Sequence, residues 1–404
     1  MSIDVKLKRS LSLPVVALYG LGNILGAGIY VLVGKVADYS GASTTLAFLI
    51  AMVTAAFTAF SYMELAGRYP VSASVSVYLH KAFGKRWLSV LIGLAMVAGG
   101  IASAAALSQG FAGYLSSFVA VPTVVASVGL LVLLGAIAIK GIGESAKTAA
   151  IFTVIEVLGL LLIIWFGRSA FGQADLNSAF TIDPAVGLSG VVAGAFLAFY
   201  AFIGFEDMVN VAEEAKNPRR TMPLAILIAI ATSMLLYLLV VIVSTTLVKP
   251  AELADSSAPL TLVFERSGAT SVWILTLIGM VATINGVIVQ IIMGSRILYG
   301  LANQGWITSR LAQVHKKNKT PVTATLVVVG IMIAGTILLP LVSLAQLTSL
   351  LVLSIFTLVN VSLVVIKRRG DKHQGYITVP SFVPYVGAAL CICTIAYQLF
   401  NWSN

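Results

Sequence analysis

Gly20-Leu-Gly-Asn-Ile-Leu-Gly26-Ala-Gly28-Ile-Tyr30 lies in the middle of an apolar segment, residues 13–37, long enough to cross a bilayer. A plain span would hold leucine where this stretch holds glycine, the residue that lets a backbone unwind. An unwound helix in hydrocarbon leaves N–H and C=O groups unpaired, so it survives only where it lines a cavity. Five segments later the pattern recurs: residues 186–211 are apolar but interrupted at Ile203-Gly204-Phe205-Glu206-Asp207. Two interrupted spans in corresponding positions mark a transporter built from inverted repeats, with its substrate site at the breaks. The half-helix starting near Gly28 would aim free N–H groups and its positive dipole end at an anion such as a carboxylate. Close helix packing through Gly22 and Gly26 is the competing reading of the same glycines. A dinucleotide fingerprint does not fit, because the third glycine is misplaced and no strand precedes it.

Composition narrows the class. The 404 residues are 59% hydrophobic and 10% charged, with a mean hydropathy of +1.01, against roughly 25% charged residues in soluble domains. This is the profile of a polytopic membrane protein with little soluble mass. The net charge of +10 does not indicate nucleic acid, since basic residues of such proteins collect in cytoplasmic loops and no loop is long enough for a binding module. Cys391 and Cys393 read as small apolar fillers. His80, His315 and His373 fall in polar connections without metal-ligand pairing, so neither metal nor cofactor is expected. The first apolar run leads into further spans and does not read as a cleavable signal.

Helices are expected near residues 13–37, 43–66, 86–118, 123–139, 148–167, 186–211, 223–248, 272–301, 321–340, 343–366 and 380–400, about eleven in all. All but four of the 25 lysines and arginines (Lys35, Arg168, Lys249 and Arg266) fall on the N-terminal side of that topology. The asymmetry places the N-terminus in the cytoplasm. The whole chain, 1–404, reads as one transmembrane domain: repeat one over about 13–167, repeat two over about 186–366, and a peripheral helix over about 380–400.

Four motifs carry a resemblance. The first-helix glycine pattern resembles Gly-x-Gly-x-x-x-Gly-x-Gly-Ile-Phe of the amino acid–polyamine–organocation transporter superfamily, with Tyr30 in place of Phe. Phe60-Ser-Tyr-Met-Glu64-Leu-Ala-Gly-Arg68-Tyr-Pro70 resembles its second-helix signature. The stretch from Phe199 to Pro218 resembles its sixth helix, and Ser295-Arg-Ile-Leu-Tyr-Gly-Leu-Ala302 its eighth. The fold this implies is all-α and integral to the membrane, a leucine-transporter-like 5+5 inverted repeat with discontinuous helices 1 and 6. The resemblance further implies that N–H groups of Gly26, Ala27 and Gly28 hold the substrate's α-carboxylate. Carbonyls of Tyr200, Ala201 and Ile203 would hold its α-ammonium, with the Tyr200 ring closing over the substrate as an outer gate. Phe202 reads either as a site aromatic or as packing.

Glu156 stands mid-helix in an apolar run, where an ionised carboxylate is costly unless paired or hydrated. Many members of the superfamily have a lysine at the corresponding place, so the sign of the charge is reversed here. The expectation is that Glu156 exchanges a proton during transport; a carboxyl held protonated by a neighbouring helix, or a cation ligand, are the alternatives. Glu206 and Asp207 either tie the unwound segment to neighbouring helices, face the inner vestibule or meet a cationic substrate side chain. Glu64, Arg68, Glu213 and Arg296, at cytoplasmic helix ends, read as ion-pair latches of an inner gate or as snorkelling charges. On the eighth helix Thr283 and Asn285, ahead of Gln290, are the candidates to complete the cavity, with interhelical hydrogen bonding as the rival role.

The function these features imply is secondary active transport of amino acids across the cytoplasmic (inner) membrane by alternating access. Proton-coupled symport of a small or neutral amino acid leads; an amino acid exchanger and a sodium-coupled permease are the alternatives, with a non-transporting sensor behind them. No nucleotide-binding loop supports an ATP-driven pump, no filter sequence supports a channel, and no nucleophile–base constellation supports an enzyme.

Overall fold

A proline at the first turn starts the first helix, and a glycine ends it. Helix α1 (Leu13–Leu25) takes Pro14 where a missing N–H costs nothing. At Gly26 the backbone leaves the helical region (φ −45°, ψ 139°), and α2 (Gly28–Ser40) restarts it. The computed structural model describes residues 9–26, 28–71, 74–141, 146–174, 180–315, 318, 320–370 and 376–403. Ala27, Lys6, Lys8, Lys316, Lys317, Lys319, His373 and Lys372 lie outside the described residues.

After the first break come α3 (Thr44–Arg68), α4 (Ser74–Phe83), α5 (Arg86–Leu115), α6 (Thr123–Lys140), α7 (Ala146–Phe166) and the single turn α8 (Ala170–Gln173). Helix α9 (Gly187–Ala198) runs into a 3₁₀ turn, Phe199–Phe202. It breaks at Ile203 and Gly204, then continues as a 3₁₀ helix, Phe205–Glu214. The remainder is α10 (Pro218–Leu247), α11 (Pro250–Asp255), α12 (Pro259–Arg266), α13 (Val272–Asn303), α14 (Val322–Leu338), α15 (Leu341–Arg368) and α16 (Phe382–Ser403). Among the described residues nine stretches are long and apolar enough to cross a membrane. The first, Leu13–Arg68, takes in two of the expected segments, and Val322–Leu338 is a shorter apolar helix.

The expected start near residue 223 moves to Pro218. Asn217 adopts a left-handed conformation (φ 47°) and Pro218 opens the helix, so Pro223 sits inside it. Helices α4, α8, α11 and α12 occupy stretches expected to be plain connections. They are too short to span, and α11 and α12 each begin with a proline.

The interrupted helices lie at the centre and the uninterrupted ones surround them. Ile29, Tyr30, Phe199 and Phe205 are buried, whereas α6 and α7 expose Leu133 and Trp165, as a lipid-facing surface does. The two interrupted helices run side by side. At one end α2 packs on α9. At the other the main chains are joined: Ser10 and Leu11 donate to the Glu214 carbonyl (2.9 and 3.0 Å), and Lys216 donates to the Leu11 carbonyl (2.8 Å).

Charged residues gather in two places. Three of the four exceptional basic residues meet at α11: Lys35 bonds the Ala254 carbonyl, Lys249 caps the helix, and Arg266 pairs with Glu252 at 2.9 Å. A different cluster forms around the end of α3. There the buried Glu64 meets Arg68 at 2.6 Å, Lys367 of α15 at 2.8 Å and the Val379 N–H at 2.8 Å. Arg68 stacks on Tyr376.

Candidate functional site

The two breaks touch each other through main chain. Gly204 has φ +127°, a conformation open to glycine, and a Cβ there would stand 2.3 Å from the Asn23 oxygen and 2.9 Å from the Ile24 nitrogen. In the other direction, a Cβ on Gly28 would stand 2.7 Å from the Ala201 Cα. Each interruption therefore sits against the backbone of the other.

Side chains hold the open ends in place. Glu206 Oε2 accepts the Gly204 N–H at 2.8 Å, a bond within the interrupted segment itself. Tyr237 on α10 donates to the Ile24 carbonyl at the end of α1 (2.7 Å). On α7, Thr153 donates to the Leu18 carbonyl (2.9 Å), and Tyr30 donates to the backbone carbonyl of Glu156 (2.7 Å). The Tyr30 carbonyl in turn accepts from Tyr114 (2.6 Å).

Between the breaks lies a cavity walled by Gly22, Asn23, Gly26, Gly28, Tyr200, Ile203, Gly204, Asp207, Asn285 and Gln290 among others. A second cavity adjoins it, sharing Ser103, Ile203, Asp207 and Gln290, and adds Met96, Met293, Val352, Ile355 and Phe356. The first cavity retains polar capacity. Asn23 Nδ2 and Asn285 Oδ1 are buried without a hydrogen-bond partner among the described residues, an arrangement that costs free energy unless something fills the space.

The donors expected at the first break are partly used. The Gly26 N–H closes the last turn of α1 onto the Gly22 carbonyl (2.8 Å), and the Gly28 N–H turns back to the Gly26 carbonyl. A helix end first satisfies its own donors, and both of these N–H groups are engaged within the segment. Ala27, the third, lies outside the described residues. The first turn of α2 still presents N–H groups with no preceding carbonyl in register. At the second break the Tyr200 carbonyl accepts from the Ile203 N–H (3.3 Å), while those of Ala201 and Ile203 accept no backbone hydrogen bond among the described residues.

Tyr200 lines the cavity with its hydroxyl 2.8 Å from Ser103 Oγ. Phe202 instead packs edge-on against Tyr237 at 5.3 Å and Phe48 at 6.5 Å. Thr283 lies one helical turn from the lining residues of α13, and its hydroxyl bonds the Gly279 and Met280 carbonyls of its own helix; Gln290 takes the place expected of it. Glu156 is fully buried and does not itself line the cavity; its Oε1 accepts from Asn285 Nδ2 at 3.0 Å. Of the four latch residues, Glu64 and Arg68 pair within α3, and Glu213 is half-buried on the 3₁₀ helix. Arg296 is exposed and forms no ion pair among the described residues. The partner that sequence reasoning missed is Lys367, which joins α15 to Glu64; Asn23, Ser103 and Tyr237 were missed as well.

The sequence profile described as amino acid permease matches residues 11–403. The chain belongs to the amino acid permease family. It is thus a multi-pass membrane permease of the superfamily its motifs resemble. The chain is 28% identical to the branched-chain amino acid permease BcaP of Bacillus subtilis (strain 168), over 99% of this chain and 90% of that one. It is 27% identical to the methylthioribose transporter of the same organism, over 96% and 87% of the two chains. With cationic amino acid transporter 4 of Homo sapiens it shares 30% identity over 91% of its length, spanning 61% of that longer protein.

Proposed function

We propose that this permease is a secondary active transporter that carries a neutral amino acid together with a proton across the cytoplasmic membrane by alternating access. The observation that carries the reading is the pair of interlocked breaks around one cavity with an unsatisfied donor and an unsatisfied acceptor in its wall. The α-carboxylate sits at the start of α2, with Gly26, Ala27 and Gly28 shaping its approach, and the α-ammonium meets the carbonyls of Ala201 and Ile203. Tyr200 closes the outer side, and Glu64, Arg68 and Lys367 latch the inner side. The chain is one transmembrane domain of about eleven spans in a 5+5 inverted repeat, with a cytoplasmic N-terminus. Supporting this are the matching positions of the breaks and the segregation of basic residues to one end.

An apolar side chain fits the wall of Met96, Val352, Ile355 and Phe356 in the adjoining cavity, and the likeness to a branched-chain amino acid permease points the same way. L-Leucine is the first candidate. Glu156 is the proton site. A cationic side chain is the second reading, favoured by Asp207, which borders both cavities, and by the likeness to cationic amino acid transporters.

Radiolabelled L-leucine uptake into proteoliposomes tests the proposal. An outwardly alkaline, inwardly acidic interior should give no accumulation, whereas an acidic exterior should drive it, without sodium and without preloaded amino acid. Glu156→Gln should abolish proton-driven accumulation while preserving counterflow. Uptake only into preloaded vesicles would replace symport by exchange, and uptake of radiolabelled L-arginine but not of L-leucine would favour the cationic substrate.

A further inference from the structure

Glu156 has no side-chain access to the cavity, yet Asn285 touches both. Its Nδ2 donates to Glu156 Oε1 at 3.0 Å, its Oδ1 is buried without a partner among the described residues, and the residue forms part of the cavity wall. The amide is thus a two-ended connector between a buried carboxyl and the space between the breaks.

An ionised carboxylate can only accept hydrogen bonds, so it must meet the Nδ2 end of the amide, leaving the acceptor Oδ1 toward the cavity. A protonated carboxyl can donate. Its O–H is then satisfied by Oδ1, and a half-turn of the amide sends the two N–H donors the other way. The cavity wall changes from acceptor to donor with no change in its shape.

The position fixes which end of the substrate would sense this. Glu156 sits beside the first break: Tyr30, two residues past Gly28, bonds its backbone carbonyl, and Thr153, one turn earlier on α7, bonds α1. Asn285, within hydrogen-bond distance of Glu156, is therefore on the carboxylate side of the cavity. The Asn285 amide is a polar side chain that touches both Glu156 and that cavity. Tyr30 of α2 and Tyr237 of α10 interact with Glu156 electrostatically, and their hydroxyls are engaged by backbone carbonyls. Helix α1 carries no Asp, Glu, Lys, Arg or His, and on α12 Glu265 and Arg266 are exposed.

We propose that Asn285 is a positioning residue whose amide turns over with the proton on Glu156, presenting Nδ2 to the substrate's carboxylate only when Glu156 is protonated. A carboxylate facing Oδ1 is repelled; facing Nδ2 it is bound. Proton and amino acid then favour each other's binding, which is the sign that symport requires. The inference rests on Glu156 being the proton site.

The test is the affinity of purified protein for radiolabelled L-leucine as a function of pH, over a range in which the amino acid stays a zwitterion. Wild type should bind more tightly as pH falls, by at most about tenfold per pH unit for one linked proton. Glu156→Gln, whose amide can donate to Oδ1 permanently, should bind tightly at every pH. Asn285→Val, which keeps the bulk and removes both polar ends, should bind more weakly and without pH dependence; Asn285→Ser, carried in parallel and checked by its melting temperature, should also lose the slope. The double variant Glu156→Gln/Asn285→Val should match Asn285→Val. A slope lost in Glu156→Gln but kept in both Asn285 variants would overturn the relay and leave Glu156 as proton site. A slope kept in all variants, or absent from wild type, would overturn both.

Discussion

The first and second breaks solve the same problem with different backbones. The first passes from α-helix to α-helix through Gly26, and both halves are ordinary α-helices of 13 residues. The second leaves α9 by a 3₁₀ turn, crosses Gly204 at φ +127°, and continues for 10 residues as a 3₁₀ helix. Such long 3₁₀ runs are uncommon and mark hinges or strained sequence. The first break is held by hydroxyls and carbonyls of surrounding helices, whereas the second is held by its own carboxylate, Glu206. The difference lies in what holds each break: neighbouring helices fix the first, and the second is fixed from within its own segment.

The contrast fails most visibly at Gly204. Gly204→Ala places a methyl into the Asn23 and Ile24 backbone and should abolish folding or transport, measured as monodisperse yield and uptake; a variant with wild-type uptake would show that the breaks do not interlock. Next in size is Glu64→Ala. Removing a buried partner from Arg68 and Lys367 should cost about 3–5 kcal/mol, read as a lowered melting temperature. Glu206→Gln should cost about 1–3 kcal/mol by weakening the bond to Gly204, with a larger effect on uptake rate than on L-leucine affinity if the second break is the moving one. Tyr237→Phe, which frees the Ile24 carbonyl, should cost about 1 kcal/mol and alter affinity more than rate. An equal effect of both substitutions on both quantities would erase the distinction between the breaks.

The smallest effect is expected at Asp183, in the connection leading to α9. The N–H groups of Ala185 and Ala42 hold its carboxyl below its ordinary value. Its contribution is complete at neutral pH and is lost as pH falls through the lowered value of the folded protein. Asp183→Asn should slightly flatten the acid side of the melting-temperature profile and leave its neutral value nearly unchanged.

The interruptions were legible because glycine and acid are conspicuous within apolar runs, and the positions of Gly26, Gly204 and Glu206 needed no partner to be noticed. What those residues bond to was not legible. Lys367 reaches Glu64 across some three hundred positions of sequence, and Asn285 reaches Glu156 from a different helix; a single sequence carries no record of such pairings. Thr283 shows the same limit, since a hydroxyl inside a helix can satisfy itself on its own carbonyls. The short helices α4, α11 and α12 escaped because they are too brief for an apolar period to emerge, although Pro250 and Pro259 signalled two of their starts.

The main-chain joint between Leu11 and the Glu214–Lys216 segment has a mechanical corollary. Two arms pinned together at their tips cannot part like a pair of doors. An opening toward that end that keeps these bonds would carry α1 and the 3₁₀ helix together, so a disulfide clamping Leu11 to Ala215 through paired cysteines should leave transport running.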